Sequence, residues 1–292
     1  MDTEHYRFQL GNFECVSLYD GFNDYELGQM FMNVPGPDVE KALQAQGYSP
    51  KAVTTPFTFL YVNTGMHRIL VDLGAGNLLP TTGKLLQNMH NAGITPESID
   101  SIFITHAHPD HVGGALDEKR EPVFFHATYY ICKIEWDFWF SEQAAIQPGG
   151  WMTEFAREKL APLKDKTVLL GRQEEILPGV SVLFAPGHTP GHMVISFASE
   201  GERLLYTGDT VLHPFHLEHP DWLPVFDILP ESAARSKQHI FDLAASTQCW
   251  VMGQQFPPSP SLGHVFKKEI GWEWKPTELT DSVLSDYRNQ QA

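Results

Sequence analysis

The chain has 292 residues, of which 42% are hydrophobic and 19% are charged, a balance that is typical of a globular protein and argues against disorder. Its formal net charge of −16, from 20 basic and 36 acidic side chains, argues against a nucleic-acid-binding surface, which needs a basic footprint. We therefore expect the partner to be a small-molecule substrate and not a nucleic acid.

The cysteines and the N-terminal segment indicate the cellular setting. Cys15, Cys132 and Cys249 lie far apart and form no CxxC pair, so we expect reduced, buried thiols and no disulfide framework. Residues 1–10 contain neither the basic nor the apolar part of a secretory signal, and no run approaches the ~20 apolar residues of a membrane helix. The sequence predicts a cytoplasmic protein with no membrane partner, and it leaves a homodimer open.

The first third of the chain consists of strands and turns. Residues 6–22 alternate in hydrophobicity around Gly11-Asn12, which predicts a β-hairpin. Two further β-rich runs, 57–62 and 67–71, repeat this arrangement. The second run stops at Asp72, so this carboxylate lies at the end of a strand.

A helix and a buried strand come next. Residues 82–92 have helical composition and are followed by Gly93, a residue that commonly ends helices. The apolar run SIFIT at 101–105 then predicts a buried strand, which leads directly into a histidine-rich segment.

The second half of the chain changes in composition. Residues 128–160 begin with an aromatic stretch and predict a helical insertion. Strands resume after it, a helix is predicted at 231–246, and CWVMG at 249–253 resembles a final buried strand. Residues 265–292 are interpreted as a C-terminal tail. Two β-rich halves, each finished by a helix, favour a two-sheet core with helices outside.

Three histidines and an aspartate lie together in THAHPDHVGG, directly after the strand at 101–105. His106 and His108 share one face if the loop is extended, because side chains alternate along an extended chain. A turn at Pro109 would then bring Asp110 and His111 back toward the same point. Imidazole and carboxylate ligands suit zinc or a similar divalent ion, and iron or manganese stay open.

Two later strand ends offer further ligands. His188, in APGHTPGH, follows the strand VSVLF, and Asp209, in LLYTGDT, ends another strand. A catalytic metal takes ligands from several segments and keeps one position open for water. Three candidate segments at strand ends jointly indicate a metal centre.

These motifs carry a family resemblance. The order HxHxDH, PGHTPGH and TGD, between about Asp72 and His264, resembles the metallo-β-lactamase superfamily and especially its lactonase and organophosphate-hydrolase-like members. The resemblance implies an α+β fold, a four-layer αββα sandwich of two mixed β-sheets flanked by helices, as a single domain over residues 1–292. Asp72 would support the motif loop from behind. The implied ligands are His106, His108 and His188 for a first metal, Asp110 and His111 for a second, and Asp209 as a bridge.

One position departs from the pattern of this family. Most two-metal members have another histidine just after the last core strand, where this chain has Gln255, or Phe256 if the alignment shifts by one. His264 is the only imidazole nearby. The second metal is then held by fewer ligands, held with help from His264 or Gln255, or absent. We expect two divalent metal ions, with zinc as the first choice of metal, and we expect the second site to be weaker.

The implied reaction is hydrolysis. A metal-bound hydroxide would attack the carbonyl of an ester or lactone, or a phosphotriester, in a small and fairly apolar substrate. Asp110 or Asp209 would pass a proton to the leaving group. Four candidates for the substrate pocket, three of them in the loop after Asp209, are His213, His216, Trp222 and Phe256.

Two other functions stay open. A single-iron oxidoreductase of the persulfide dioxygenase type keeps a similar histidine and aspartate set around one metal. A non-catalytic member of the same fold would bind a ligand without turning it over.

Overall fold

The computed structural model describes residues 4–146 and 150–277, and these residues form two sheets of seven strands each. Strands of the first sheet follow the chain order, antiparallel as far as β4 and parallel from β4 to β7. They are β1 (His5–Leu10), β2 (Phe13–Tyr25), β3 (Val53–Asn63), β4 (Arg68–Val71), β5 (Ser101–Ile104), β6 (Thr128–Cys132) and β7 (Thr167–Leu170).

The second sheet also follows the chain order and is also mixed. Its strands are antiparallel neighbours except for β11 and β12, which are parallel. They are β8 (Gln173–Leu177), β9 (Val180–Phe184), β10 (Met193–Ser199), β11 (Glu202–Tyr206), β12 (Trp250–Met252), β13 (Leu262–Lys267) and β14 (Trp272–Pro276).

Helices connect and cover the strands. They are α1 (Leu27–Met30), α2 (Gly36–Ala45), α3 (Leu85–Asn91), α4 (Pro109–Val112), α5 (Lys133–Trp139), α6 (Glu142–Ala145), α7 (Gly150–Leu160), α8 (Phe215–Glu218) and α9 (Pro230–Thr247). In the part of the chain that the structure describes, no helix combines the length and the apolar character needed to cross a membrane.

Alternation along the strands divides the core into layers. In β3, Leu60 and Val62 pack between the two sheets, whereas Phe59 and Tyr61 face the helices on the other side of the first sheet. This follows from the period of two in a strand that is buried on both faces. The outer face of the second sheet is covered by α9, through a separate apolar cluster. The predicted αββα sandwich of two mixed sheets is therefore confirmed.

Several local predictions are confirmed as well. The hairpin turns at Gly11, which has a φ of 55° in the left-handed region that favours glycine. The helix predicted at 231–246 is α9, and Cys15, Cys132 and Cys249 are buried free thiols.

The predicted starts of the helical insertion and of the C-terminal tail are wrong. The helical insertion at 128–160 begins with β6, which pairs in parallel with β5, because aromatic and β-branched residues suit a pleated, buried strand. The remainder of that segment carries α5, α6 and α7, and residues 147–149 lie outside the described residues.

The C-terminal tail and the final strand are also placed differently. CWVMG is not the last strand, and the predicted tail, 265–292, begins inside the second sheet, in β13 and β14. Trp272 and Trp274 alternate along β14 and pack into the core under α9, which holds this segment in the sheet. Residues 278–292 lie outside the described part of the chain. The single domain over 1–292 stays a prediction.

Candidate metal centre

The predicted ligands follow strands that end at the same edge of the sandwich. In the first sheet, β4 and β5 are parallel neighbours, and Asp72 and His106 come just after them. In the second sheet, β9, β11 and β12 run in one direction, and His188, Asp209 and Gln255 follow their ends. The pairing of the strands therefore brings side chains that are far apart in the sequence to one place.

Asp72 holds the motif loop from behind. Its side chain is fully buried, and its Oδ1 accepts a hydrogen bond from the backbone N–H of Thr105 at 2.7 Å. Its Oδ2 accepts from Thr105 Oγ1 at 2.9 Å and from His111 Nδ1 at 2.7 Å. Because Nδ1 of His111 donates to a carboxylate, Nε2 is the nitrogen that remains for a ligand. The supporting role of Asp72 stays a prediction.

The two glycines after the motif bring the loop against the chain that precedes it. A Cβ atom on Gly113 would lie 2.0 Å from the carbonyl oxygen of Ala75, and one on Gly114 would lie 2.2 Å from that of Leu73. Both distances are far below van der Waals contact, so side chains at these positions would displace the backbone. The Gly-Gly pair therefore allows the end of the motif loop to pack directly against the backbone of Leu73 and Ala75.

Three imidazoles form one half of the centre. His106 Nε2 lies 3.1 Å from His108 Nδ1, which in turn lies 2.8 Å from His188 Nε2. Burial, together with the neighbouring imidazoles, holds the pKa of His106 and His108 well below the usual value. Both rings are therefore neutral at neutral pH, and each has a nitrogen lone pair available for a metal.

His188 differs from its two neighbours because of a carboxylate behind it. Its Nδ1 donates to Asp227 Oδ1 at 3.0 Å, which directs Nε2 to the other two imidazoles. Burial lowers the pKa of His188, but the hydrogen bond to Asp227 and the charge of Asp209 outweigh burial and leave this pKa raised.

Carboxylates and His111 form the other half of the centre. Asp209 Oδ2 lies 3.4 Å from His188 Nε2, and Asp209 Oδ1 lies 3.4 Å from His111 Nε2. Asp110 Oδ2 lies 3.6 Å from His111 Nε2, and the Asp110 side chain is 14% exposed, whereas Asp209 is buried. Burial raises the pKa of Asp209, but His111 and the nearby imidazoles outweigh burial and lower it to about 2. Asp209 lies between the two halves, with one oxygen toward His188 and the other toward His111.

The donor atoms fit divalent metal ions. Two groups of three residues each bring their ligand atoms to within 4.8 Å of one another. One group consists of His106, His108 and His188, and the other of His106, His111 and Asp209. Among the described residues, His111 Nε2 and Asp209 Oδ1 are buried and have no hydrogen-bond partner. Burying such atoms without a partner costs free energy of folding. A cation bound between the nitrogen and carboxylate donors removes this cost.

Gln255 also reaches the centre. Its Nε2 donates to Asp209 Oδ2 at 3.0 Å and, at the longer distance of 3.4 Å, to Asp110 Oδ2. Its Oε1 accepts from Thr55 Oγ1 at 3.2 Å. The glutamine that replaces the expected histidine therefore contacts both carboxylates of the second half.

An open cavity of about 670 Å³ leads to these residues. His108, Asp110, His188, Asp209 and Gln255 lie on its wall. The rest of the wall is largely apolar and includes Phe57, Leu78, Leu79, Met152, Leu212 and Phe226. A small molecule with an apolar part can therefore approach the donor atoms.

Other predicted site residues lie elsewhere. His264 Nδ1 faces the carbonyl oxygen of Cys249 at 3.1 Å, and its ring packs on Trp250, so it does not join the ligand cluster. Phe256 is fully buried against Trp274 and does not line the cavity.

The loop after Asp209 packs toward the N-terminal helices instead of covering the metal side. His213 Nδ1 accepts from the backbone N–H of Phe215 at 3.2 Å, and His216 Nε2 faces the carbonyl oxygen of Met30 at 2.8 Å. Trp222 stacks on His219. None of the three predicted pocket residues, His213, His216 and Trp222, is among the described residues that line the cavity.

Residues 52–250 match the sequence pattern of the family described as the metallo-beta-lactamase superfamily. The chain belongs to this superfamily. The match covers the motif loop, His188 and Asp209, but ends before Gln255, so it does not bear on the position of the missing histidine.

Curated members of the superfamily include related hydrolases. An atrochrysone carboxyl ACP thioesterase of Claviceps purpurea (strain 20.1) is 29% identical over 65% of this chain and 53% of that protein. An N-acyl homoserine lactonase of Bacillus cereus is 24% identical over 50% of this chain and 56% of that protein. The chain spans about half the length of the curated relatives that it matches.

Two solved structures of the superfamily are similar over nearly their whole length. AidC, a dizinc quorum-quenching lactonase in complex with a product, has a TM-score of 0.89 and 27% identity, covering 95% of this chain and 98% of that chain. AbOPH, a hydrolase in the beta-lactamase superfamily, has a TM-score of 0.89 and 28% identity, covering 96% of this chain and 100% of that chain.

Two side chains that the sequence analysis did not select connect the loops of this superfamily member. The buried carboxylate of Glu135 accepts from the backbone N–H of Ala107 and of Gly191, both at 3.0 Å, and from Thr189 Oγ1 at 2.6 Å. His192 Nε2 accepts from the backbone N–H of Asp209 at 3.0 Å. No spacing signal identifies Glu135, whereas His192 could have been found as the second histidine of PGHTPGH.

Tyr25 is a third residue that the sequence analysis missed. It lies on the cavity wall, and its hydroxyl faces the amides of Asn23 and Gln255. Burial and the charge of Asp110 raise the pKa of Tyr25 well above its usual value, so the phenol keeps its proton. Tyr25 ends β2, far from every motif in the sequence, and only the pairing of the strands brings it to the site.

Proposed function

We propose that this protein is a metal-dependent hydrolase that cleaves an ester or lactone bond in a small, fairly apolar molecule. One observation carries the proposal. Buried nitrogen and oxygen donors, two of them without a partner among the described residues, meet where an apolar-walled cavity opens to solvent. Structural metal sites are closed, whereas catalytic sites keep access for water and substrate.

The proposed ligands divide by chemistry. His106, His108 and His188 would hold one divalent ion through neutral nitrogens, and Asp209 would reach it from the other half. His111 and Asp110 would complete the other half. When bound there, such an ion supplies charge that polarises a carbonyl oxygen and favours ionisation of water near neutral pH.

Asp110 is the better candidate for moving a proton. Both carboxylates lie on the cavity wall, but the Asp110 side chain is 14% exposed, whereas that of Asp209 is 3% exposed and lies between imidazoles. In the proposed reaction, Asp110 Oδ2 takes a proton from the water that attacks the carbonyl carbon, and it passes this proton to the oxygen that leaves when the ester or lactone C–O bond breaks. A proton carrier must reach both water and substrate, and of the two carboxylates Asp110 has the greater access.

The wall opposite the ligands would bind the apolar part of the substrate. Phe226 packs edge-on against Tyr25 at 5.6 Å between ring centroids, and Leu78 and Leu79 lie on the same cavity. The Tyr25 hydroxyl, which keeps its proton, would donate to an oxygen of the substrate. Burial of an acyl chain against these side chains would stabilise binding by about 0.8 kcal/mol for each CH₂ group.

The relatives support a hydrolase. They include lactonases and thioesterases, both of which cleave an acyl bond. Zinc as the metal, the ester or lactone as the bond and the cytoplasm as the location are our proposals for this chain.

Metal removal and one matched pair of variants test the proposal. We expect chelation to abolish hydrolysis of an aryl ester and a γ-lactone, and zinc to restore it. His106→Ala should abolish both activities while the fold is retained, and His264→Ala should leave them intact because His264 lies outside the cluster. Full turnover by His106→Ala would refute the proposal. One iron per chain with oxygen consumption would instead support the oxidoreductase alternative.

A further inference from the structure

Gln255 is held rigidly at the end of β12. The carbonyl oxygen of Gln254 accepts from both the backbone N–H and Oγ1 of Thr58, each at 2.9 Å. On the other side, Phe256 is fully buried and packs edge-on against Trp274 at 5.0 Å. Gln255 itself is 1% exposed, so its backbone and side chain cannot move out of the centre without disrupting the core.

The contacts of Gln255 decide which way its amide points. Nε2 faces oxygens of two carboxylates, Asp209 and Asp110, while Oε1 faces the hydroxyl of Thr55. The opposite orientation would place Oε1 against carboxylate oxygens, and neither side has a proton to share. A donor N–H therefore points between the two carboxylates.

This donor has a consequence for metal binding. The lone pair of an amide nitrogen is delocalised, so Nε2 offers only protons and cannot serve as a ligand. It partly neutralises the same carboxylate charge that a cation beside Asp110 and Asp209 would neutralise. In the imidazole half the amide meets only Asp209 Oδ2, and it contacts none of the rings of His106, His108 and His188, so their nitrogen lone pairs have no such competitor.

We propose that Gln255 makes the two halves of the centre unequal, so that the chain retains one metal ion at the imidazole half and binds a second only weakly. This inference rests on the proposed function only in placing metal at these ligands. A second ion beside Asp110 and Asp209 must compete with the amide hydrogen bonds for the Oδ2 atoms of both carboxylates. We expect its dissociation constant to be roughly 10- to 100-fold higher than that of the first ion.

Metal content measured on the purified protein tests this without any activity assay. After loading with zinc and exhaustive dialysis, the wild type should retain one zinc per chain, measured by elemental analysis and native mass spectrometry. A second equivalent should appear only when zinc is added back. Gln255→His and Gln255→Glu replace the donor by a lone pair or a carboxylate, and both variants should retain two.

Gln29 provides a matched control on the same cavity. Its Oε1 accepts from the backbone N–H of Glu26 at 3.0 Å, and its contacts do not include the carboxylates of the centre. Gln29→His adds an imidazole to the cavity wall without removing the Gln255 donor, so it should still retain one zinc.

Each outcome separates this inference from the proposed function. Two zinc ions retained by the wild type, or only one retained by Gln255→His and Gln255→Glu, would overturn the inference. If His106→Ala is inactive in either case, the proposed hydrolase stands. A wild-type chain that retains no zinc overturns both.

Discussion

Replacing Asp72 by asparagine should remove His111 from the metal centre without changing the fold. Asparagine has the same size and also tolerates the left-handed backbone at this position, where φ is 61°. The buried N–H of Thr105 needs an acceptor, so the oxygen of the new amide must stay on it. The NH₂ group of that amide then faces His111 Nδ1, at the position where the carboxylate accepted a proton.

This change reverses the tautomer of His111. Nδ1 becomes the acceptor, the proton moves to Nε2, and a protonated nitrogen cannot ligate a metal. We expect about 10- to 100-fold weaker metal binding in the half that contains His111 and Asp209. Exchanging a charge-assisted hydrogen bond for a neutral one should lower the free energy of unfolding by about 1–2 kcal/mol. For a chain of this size, that corresponds to a fall in Tm of roughly 2–8 °C.

Three measurements on Asp72→Asn check this reasoning: thermal unfolding, zinc titration against a chromophoric chelator, and hydrolysis of the γ-lactone. Asp100→Asn is the matched control, because Asp100 also accepts a hydrogen bond from a backbone N–H, that of Arg68 at 2.7 Å, but lies at the surface. The control should change neither zinc binding nor turnover. If Asp72→Asn binds zinc and turns over like the wild type, the tautomer argument is refuted.

Three further predictions use other parts of the structure. Tyr25→Phe should lower kcat/KM by about tenfold, the worth of one hydrogen bond, with unchanged zinc content, and an unaltered rate would exclude a contact with substrate. Gly113→Ala should lower the free energy of unfolding by at least about 1–3 kcal/mol in denaturant titrations, because its Cβ would overlap the carbonyl of Ala75. Burial lowers the pKa of Lys237 to about 8, so this lysine binds fewer protons in the folded state than in the unfolded one. Burying the charged lysine should lower the free energy of unfolding by about 3 kcal/mol below pH 8, and this loss should disappear toward pH 10.5. The stability difference between wild type and Lys237→Met should shrink over that range, and a constant difference would contradict the shift.

The ligand cluster could be predicted because each ligand is attached to a strand whose own pattern is visible. Apolar runs end at Asp72, His106, His188 and Asp209, and the carboxyl ends of such strands meet at one edge. Sequence order and chemistry are then sufficient to propose that these side chains converge.

The wall of the cavity could not be predicted in the same way. His213 and His216 follow Asp209 closely in the sequence, but α8 turns their rings into an aromatic cluster with Phe31 and Phe215. Tyr25 reaches the cavity only through the register between β2 and β3. Proximity in the sequence is therefore a poor guide to the wall, because loop packing and strand register decide it.

The proposal for Gln255 implies that metal content can change independently of the fold. Its neighbours on both sides are fixed by contacts that do not involve the amide, namely the Thr58 hydrogen bonds to Gln254 and the packing of Phe256. A different side chain at this one position would therefore meet Asp110 and Asp209 from the same direction. The core sets the backbone position of residue 255. Glutamine, histidine or glutamate can therefore stand there while the imidazole half is unchanged. We therefore expect a single side chain at the end of β12 to determine how many ions this centre holds.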